Sequence, residues 1–306
     1  MHTRSWLLVP GDSEKKLAKA ASTGADAVVV DLADFVPVER KAAARALARE
    51  WLSIHRQQIT GKGRMGRWVR INPLESRMWR DDLVAMMAGA PDGIILPRAC
   101  GPDSVRQLAA ELYELEQVHH LPNGSVRILP VAGETPAAAL GMTAWLEGSM
   151  PRLAGLTWAP QGLGASIGAL RSVDARGGWT GAFAMVRAQA LMAAHAAGLA
   201  AVETFHADWN DLKGLKAAVR DGRADGFTGM LAIHPAQVPV INAAFSPSEE
   251  ELSEARALVE VGSGDSAVFG RRGDEAPRLR HGRRVLGLED GQPFDAPQRA
   301  AILRPA

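Results

Sequence analysis

Apolar residues in this chain fall into short continuous runs, and longer stretches with helix-like spacing lie between them. The runs are RSWLLVPGD, AVVVD, WVR, IILPR, LPVAGE, LTWAPQ, AAVE and GMLAIH. The last seven end at Asp31, Arg70, Arg98, Glu134, Gln161, Glu203 and His234. β-Branched and aliphatic residues dominate 28–30, 68–71, 93–96 and 126–131 without alternation, as in strands covered on both faces. Helical patterns occupy 13–21, 39–52, 104–117 and 183–197, the last rich in Ala, Met and Leu. Gly24, Gly198 and Gly226 each precede a strand, where a helix C-cap belongs. A strand followed by a helix, eight times over, predicts an α/β fold of the (β/α)8 TIM-barrel type across residues 1–245. In that architecture the strand C-termini surround one pocket, so residues distant in sequence converge there. No internal repeat is visible beyond this alternation.

The pattern changes after the eighth unit. Ser246-Pro247-Ser248-Glu249 predicts a helix start, with Ser246 as cap, Pro247 in the first turn and Glu249 reaching back. Residues 262–281 are rich in Gly, Arg and Asp and predict a mobile connection. An apolar segment at 285–288 leads to DGQPFDAP and a helix-like AAIL. Residues 246–306 therefore predict a helical, partly flexible C-terminal extension. Such a tail closes over a site or packs on a neighbour, or else it frays.

At 306 residues and 47% hydrophobic, the chain suits one large barrel with an ample core. With 35 basic and 34 acidic residues, no bulk field favours nucleic acid. The eight tryptophans are scattered and form no stacking platform. One cysteine, Cys100, excludes an internal disulfide and fits a reducing compartment. The opening MHTRSWLLVPGDSEKK is too short in apolar residues for a signal peptide, and no run approaches a membrane span. The expectation is a cytoplasmic protein with no membrane or nucleic-acid partner.

Among the rim residues, Arg70 suits carboxylate binding or oxyanion stabilisation, with a structural salt bridge as the alternative. Glu134 suits a hard cation such as Mg²⁺, or it is the acid at a helix N-terminus begun by Thr135 and Pro136. Asp31 and Asp34 could orient metal-bound water, pair with Arg70, or cap the following loop. His234, beside Pro235, reads as a packed, hydrogen-bonded group rather than a general base. WAPQGLGASIG lacks the strand-turn context of a dinucleotide site.

RSWLLVPGD, GADAVVVDLADFVP, VRINP, IILPR, GETP, LTWAPQGLGASIG, DWNDLKGLKA, GFTGMLAIHPAQV and NAAFSPSEEEL, in this order, resemble the HpcH/HpaI aldolase/citrate lyase family. The likeness is to its citrate lyase β-subunit-like branch and covers roughly residues 4–252. It implies a barrel that makes or breaks a carbon–carbon bond beside a carbonyl. The implied substrates are acyl-CoA thioesters of short hydroxy acids, with a keto acid on the other side. Mg²⁺ is the implied metal and a homo-oligomer, a trimer or a multiple of one, the implied assembly. By this resemblance Arg70 faces substrate oxygens and Glu134 is a metal ligand. Lys19 and Arg4 match basic positions near the mouth, where a CoA phosphate would lie. The catalytic lid aspartate matches Asp295 in DG-x-x-x-DAP, with Glu275 in DEAPRLRHGRRVL as the competing match.

Three departures bear on this expectation. The second metal-ligand aspartate falls on Gly162, with Gln161 in place of its acidic neighbour. The glutamate usual between Asp31 and Asp34 is Ala33. Two lysines are replaced, by Arg98 and Met230. Losing one carboxylate removes several kcal/mol of gross attraction for a cation, on the order expected at short range in a partly screened medium. A net loss of about 2 to 3 kcal/mol weakens binding roughly 30- to 150-fold. Substrate oxygens and water, a nearby Asp31, Asp34 or Glu203, or metal-free use of Arg70 are the ways round it. The expected function is carbon–carbon lyase chemistry on a small hydroxy or oxo acid, as an acyl-CoA thioester. The alternatives are a non-catalytic or metal-impaired ligand-binding homologue and, more remotely, a structural subunit of a lyase complex.

Overall fold

The computed structural model describes residues 3–56, 59–60, 63–263, 282–283 and 285–287. The chain runs β1 (Ser5–Pro10), α1 (Glu14–Ala20), β2 (Ala27–Asp31), α2 (Lys41–Ile54), then a small hairpin of β3 (Ile59–Thr60) and β4 (Gly63–Arg64). It continues with β5 (Gly66–Arg70), α3 (Trp79–Met87), β6 (Gly93–Ala99), α4 (Pro102–Val118), β7 (Arg127–Ala132) and α5 (Pro136–Leu140). There follow β8 (Gly155–Trp158), α6 (Pro160–Ile167), α7 (Gly181–Ala196), β9 (Ala200–Glu203), α8 (Leu212–Asp225), β10 (Gly229–Ala232), α9 (Val238–Ala244) and α10 (Glu249–Ser263).

Eight of these strands close a parallel barrel in the order β1-β10-β9-β8-β7-β6-β5-β2, and the hairpin stands outside it. Closure removes every sheet edge. The strands read as continuous apolar runs because both faces are buried. Val28, Val30 and Val69 face the helical layer, while Trp6, Leu8, Val29, Trp68, Ile95, Val131 and Leu231 fill the barrel interior. Trp6 and Trp68 meet edge to face at 4.9 Å, and the Trp68 ring lies over the Cα of Gly93, where a Cβ would collide with it. Gly93 thus makes room for an indole ring in the interior. Two of the anticipated helix ends are present, Gly198 just after the cap of α7 and Gly226 at the cap of α8, with φ of +63° and +110°; α1 ends earlier, at Ala20, and Gly24 lies in the turn beyond it with φ of +77°.

Register sets the site. Pro10 pairs with Asp31, Asp31 with Arg70, and Arg70 with Ile95. The last residues of β2 and β5 are therefore neighbours at the C-terminal end of the barrel. Between Leu96 and Ala99 the pairing of β6 with β7 shifts, and within this irregularity Arg98 takes a φ of +52°. A left-handed arginine is uncommon, and such strain collects at functional sites.

The C-terminal helix starts later than its sequence suggests. Ser248, not Ser246, accepts from the N–H of Glu251 (3.1 Å), and Glu251 accepts from the N–H of Ser248 (2.7 Å). Ser246 is engaged elsewhere: its hydroxyl accepts from the Arg4 guanidinium at 2.7 Å. Val285 and Leu286 pack on Leu252 and Ala255 of α10. No helix among the described residues is long and apolar enough to cross a membrane.

Candidate functional site

A pocket of about 620 Å³ opens at the C-terminal ends of the strands. Leu8, Ile95, Val131 and Leu231 contribute apolar lining, and Asp34, Arg70, Arg98, Glu134, Gln161 and Ser166 contribute polar groups. Phe35 and Phe205 also line it, edge to face with ring centroids 6.5 Å apart. The geometry thus brings Arg70 and Glu134 together over one cavity.

Arg70 is held from two sides. One Nη donates to Asp31 Oδ2 at 2.8 Å, and the other donates to Asp34 in a short contact. Asp31 is fully buried, while the Asp34 side chain is 72% exposed. Two of the three anticipated uses occur at Asp31, because its Oδ1 also accepts from the N–H of Ala33 at 2.7 Å. Burial disfavours the Arg70 charge, but the Asp31 and Asp34 carboxylates outweigh it and push the pKa above the ordinary arginine value. The guanidinium is cationic at any working pH.

Beneath this cluster lies a support that the sequence did not reveal. Buried Lys41 donates to the carbonyls of Leu32 and Ala33, each at 2.6 Å, and to Asn72 Oδ1 at 2.9 Å. Asn72 in turn donates to Asp82, which also accepts from Arg45. The loop carrying Asp34 is fastened by its main chain. Burial lowers the pKa of Lys41, opposed by Asp31, Asp82 and Asp34. Nothing marks Lys41 in the sequence, where it opens an ordinary Ala-rich helix.

Glu134 follows β7 after Gly133, whose φ is +74°. The helix cap is Thr135, which accepts from the N–H of Ala138 at 3.2 Å, while the Glu134 side chain lines the pocket. Its Oε2 accepts from the N–H of Arg98. Its Oε1 accepts from no described residue. Burial raises the Glu134 pKa, offset by that N–H and by the Arg70 charge. Gly162 lies directly against it. A Cβ at 162 would fall 2.5 Å from Glu134 Oε1 and 2.8 Å from its Cβ. Real Cβ atoms do not approach so closely, so either group would have to move.

Several expected contributors lie elsewhere. Arg4 precedes β1, at the barrel end opposite the pocket, and binds Asp26 at 2.7 Å in a partly buried pair. Lys19 is exposed in the last turn of α1, on the helix returning toward the start of β2, and does not line the pocket. The geometry therefore gives no support to a mouth-facing phosphate role for either. Glu203 is buried and accepts from Trp158 Nε1 and Arg187 Nε, both at 2.6 Å, so it is not free to join Glu134. His234 accepts from the N–H of Ala236 at 3.2 Å and stacks on Trp209 at 4.4 Å, as a structural group would. Met230 is a core residue. Asp295 and Glu275 lie outside the described residues.

A hard divalent cation needs oxygen ligands. Among the described residues, no group of three or more His, Cys, Asp or Glu is arranged to hold an ion. Asp31 is buried against Arg70, whereas Asp34 pairs with Arg70 through one oxygen only and lines the cavity with its side chain 72% exposed, so Glu134 and Asp34 are the carboxylates open to the cavity. Magnesium commonly binds through one or two carboxylates, with water and substrate completing its shell. The donor set fits magnesium in that sparse form.

The comparisons with known proteins place the chain in a family. The HpcH/HpaI aldolase/citrate lyase description matches residues 4–235. A citrate lyase subunit beta-like protein of Deinococcus radiodurans is 32% identical over 297 residues, covering 94% of this chain and 97% of its own. The mitochondrial citramalyl-CoA lyase of Homo sapiens is 29% identical over 265 residues, covering 84% and 74%. The crystal structure of CitE from Mycobacterium tuberculosis, in complex with magnesium, acetoacetate and coenzyme A, superimposes with a TM-score of 0.71. It is 30% identical and covers 94% of this chain and 98% of that one. With its closed barrel, its rim arginine and glutamate and this extent of likeness, the chain belongs to the HpcH/HpaI aldolase/citrate lyase family.

Proposed function

We propose that this protein is a carbon–carbon lyase acting on a small hydroxy acid carried as an acyl-CoA thioester. The observation that carries the reading is that Arg70 and Glu134, 64 residues apart in sequence, line one pocket at the strand C-termini. In the cleavage direction a base takes the hydroxyl proton, the carbon–carbon bond breaks, and a keto acid leaves. The electron pair passes to the thioester as an enolate, which then gains a proton on carbon. Arg70 stabilises the enolate oxygen. Its fixation by Asp31 and Asp34 means that little reorganisation is needed when that charge develops. Glu134 holds Mg²⁺, which when bound polarises the keto-acid oxygens. Asp295 moves the proton at the enolate carbon, with Glu275 as the alternative. The protein works as a homo-oligomer in the cytoplasm, on small molecules and without nucleic acid.

The test is incubation of the purified protein with a panel of β-hydroxyacyl-CoA thioesters and Mg²⁺, following free keto acid. Release from at least one thioester, lost in Arg70→Ala, is the expected result. No release across the panel, with circular dichroism showing an intact barrel, overturns the reading. A second reading, a ligand-binding homologue without turnover, is favoured by Gly162, Gln161 and Ala33 together. It is distinguished by keto-acid binding in the absence of any cleavage. Sedimentation velocity reads the assembly directly.

A further inference from the structure

We infer that the substrate carries a bulky hydrocarbon substituent, and that Phe35 and Phe205 select it. The inference rests on the lyase reading for the keto-acid and thioester groups, and on the two-sided lining of the pocket for the substituent.

The charged side chains of the lining come from one side of the barrel. Asp34 follows β2, Arg70 ends β5, Arg98 lies in β6 and Glu134 follows β7. The strands β9, β10 and β1 are consecutive around the barrel. They bring Phe205, Leu231 and Leu8 to the cavity and, among the described residues, no charged lining group. The polar groups at the ends of β9 and β10 are engaged elsewhere. Glu203 accepts from Trp158 and Arg187, and His234 stacks on Trp209. Phe35, from the loop after β2, meets Phe205 edge to face, so the two rings bridge the arc of β1 and β10.

Both rings stand on fixed main chain. The N–H of Phe35 donates at 3.4 Å to Asp31 Oδ1, which also takes the N–H of Ala33. The N–H of Thr204, one residue before Phe205, donates to Glu203 at 2.9 Å. Phe35 is nonetheless 36% exposed. A pre-positioned ring with open apolar surface gains by being covered, and little ordering is needed to cover it. A short keto acid and a thioester carbonyl engage the charged side and leave this arc bare. A second carboxylate placed there would lose its water without finding a partner. A branched aliphatic or aromatic group suits it. The cavity, at about 620 Å³, is in the range that encloses ligands well beyond the size of a short acid. The substituent belongs to the keto acid or to the acyl group, and the experiment separates the two.

Two ligand series are titrated by calorimetry with Mg²⁺ present. One is pyruvate, 4-methyl-2-oxopentanoate and phenylpyruvate. The other is acetyl-CoA, isovaleryl-CoA and phenylacetyl-CoA. In at least one series a bulky member is expected to bind about ten-fold or more tighter than the smallest, the scale set by filling a hydrophobic pocket. The series that responds identifies which product bears the group. That ratio should fall at least three-fold in Phe35→Ala and in Phe205→Ala. Phe35, exposed on a loop, carries the test if circular dichroism shows that Phe205→Ala does not fold. A smaller ratio in both series, or no binding of any probe, overturns the inference. So does a ratio that survives the substitutions. Equal weakening of every thioester in the variants, acetyl-CoA included, with the keto acids unaffected, assigns the arc to the pantetheine arm and also overturns it. Cleavage of short-chain thioesters without the preference sinks this inference and leaves the lyase reading intact. The preference without cleavage does the reverse.

Discussion

The main-chain N–H of Arg98 is bound to the carboxylate of Glu134, and Arg98 reaches it only by adopting a φ of +52°. The strain of one residue thus sets the position of the other. A non-glycine residue in this region costs about 1–2 kcal/mol. Arg98→Gly keeps the N–H and removes the strain. The variant is expected to be more thermally stable by about 1 kcal/mol, less the extra freedom of glycine in the unfolded chain. It should also bind pyruvate more weakly, since the guanidinium is gone. Thermal denaturation and calorimetry read the two effects separately.

Lys41 fastens the loop that carries Asp34. Lys41→Met removes the charge and one donor from each of three buried acceptors, of which the Leu32 carbonyl keeps Asn72 Nδ2. Loss of about 3–5 kcal/mol in urea denaturation is expected, as for other broken buried charge networks. In the enzyme a weaker hold on Asp34 should show as a raised KM through Arg70. An unchanged KM with reduced stability would make the lysine a structural residue only.

Glu134 and Glu203 are both raised above the ordinary glutamate value of 4.5, each chiefly by burial. The folded state therefore retains these protons to higher pH than the unfolded state does. Their contribution to stability is fully present below about pH 4.5 and is lost as pH rises through the folded pKa. Glu134→Gln should flatten this part of the stability profile. The difference between wild type and variant, measured by denaturation from pH 4 to 8, should shift against wild type as pH increases. A difference independent of pH would show that burial does not hold the proton.

Much of the barrel could be read from the chain because its strands are buried on both faces and so appear as unbroken apolar runs. Their terminal residues marked the rim for the same reason: a capable side chain after such a run has the pocket as its outlet. Arg70 and Glu134 were found this way. Arg4 was not placed correctly, because a basic residue beside a strand looks the same at either end of the barrel. The capping serine was misjudged because Ser246 and Ser248 stand two residues apart with acids at similar spacing. The approach of Glu134 to Gly162 depends on how α6 sits beside the turn after β7. A glycine in sequence reports only that a side chain is missing, not what fills the volume. Lys41 and Asn72 left no trace, since their importance comes from three carbonyl groups and a carboxylate that meet only in the folded chain.

Gly93 offers a test of the interior that is separate from the site. A methyl group there would strike the Trp68 ring, which has Trp6 on another side. Gly93→Ala is expected to destabilise the barrel by about 1–3 kcal/mol through overpacking. Trp68→Phe in the same chain should recover part of that loss, because a smaller ring leaves room. Additive losses in the double variant would mean that the two positions do not share one space.

Arg4 binds Asp26 just before the second strand, and it also binds Ser246 just beyond the ninth helix, 242 positions away. The first strand, already paired to the last, is thereby riveted to the segment that follows the whole toroid. A force drawing these two regions apart would load the seam in shear across several bonds at once, instead of unzipping them one by one. The first place to give way should then lie far from the seam, among the half-turns that carry the helices outward.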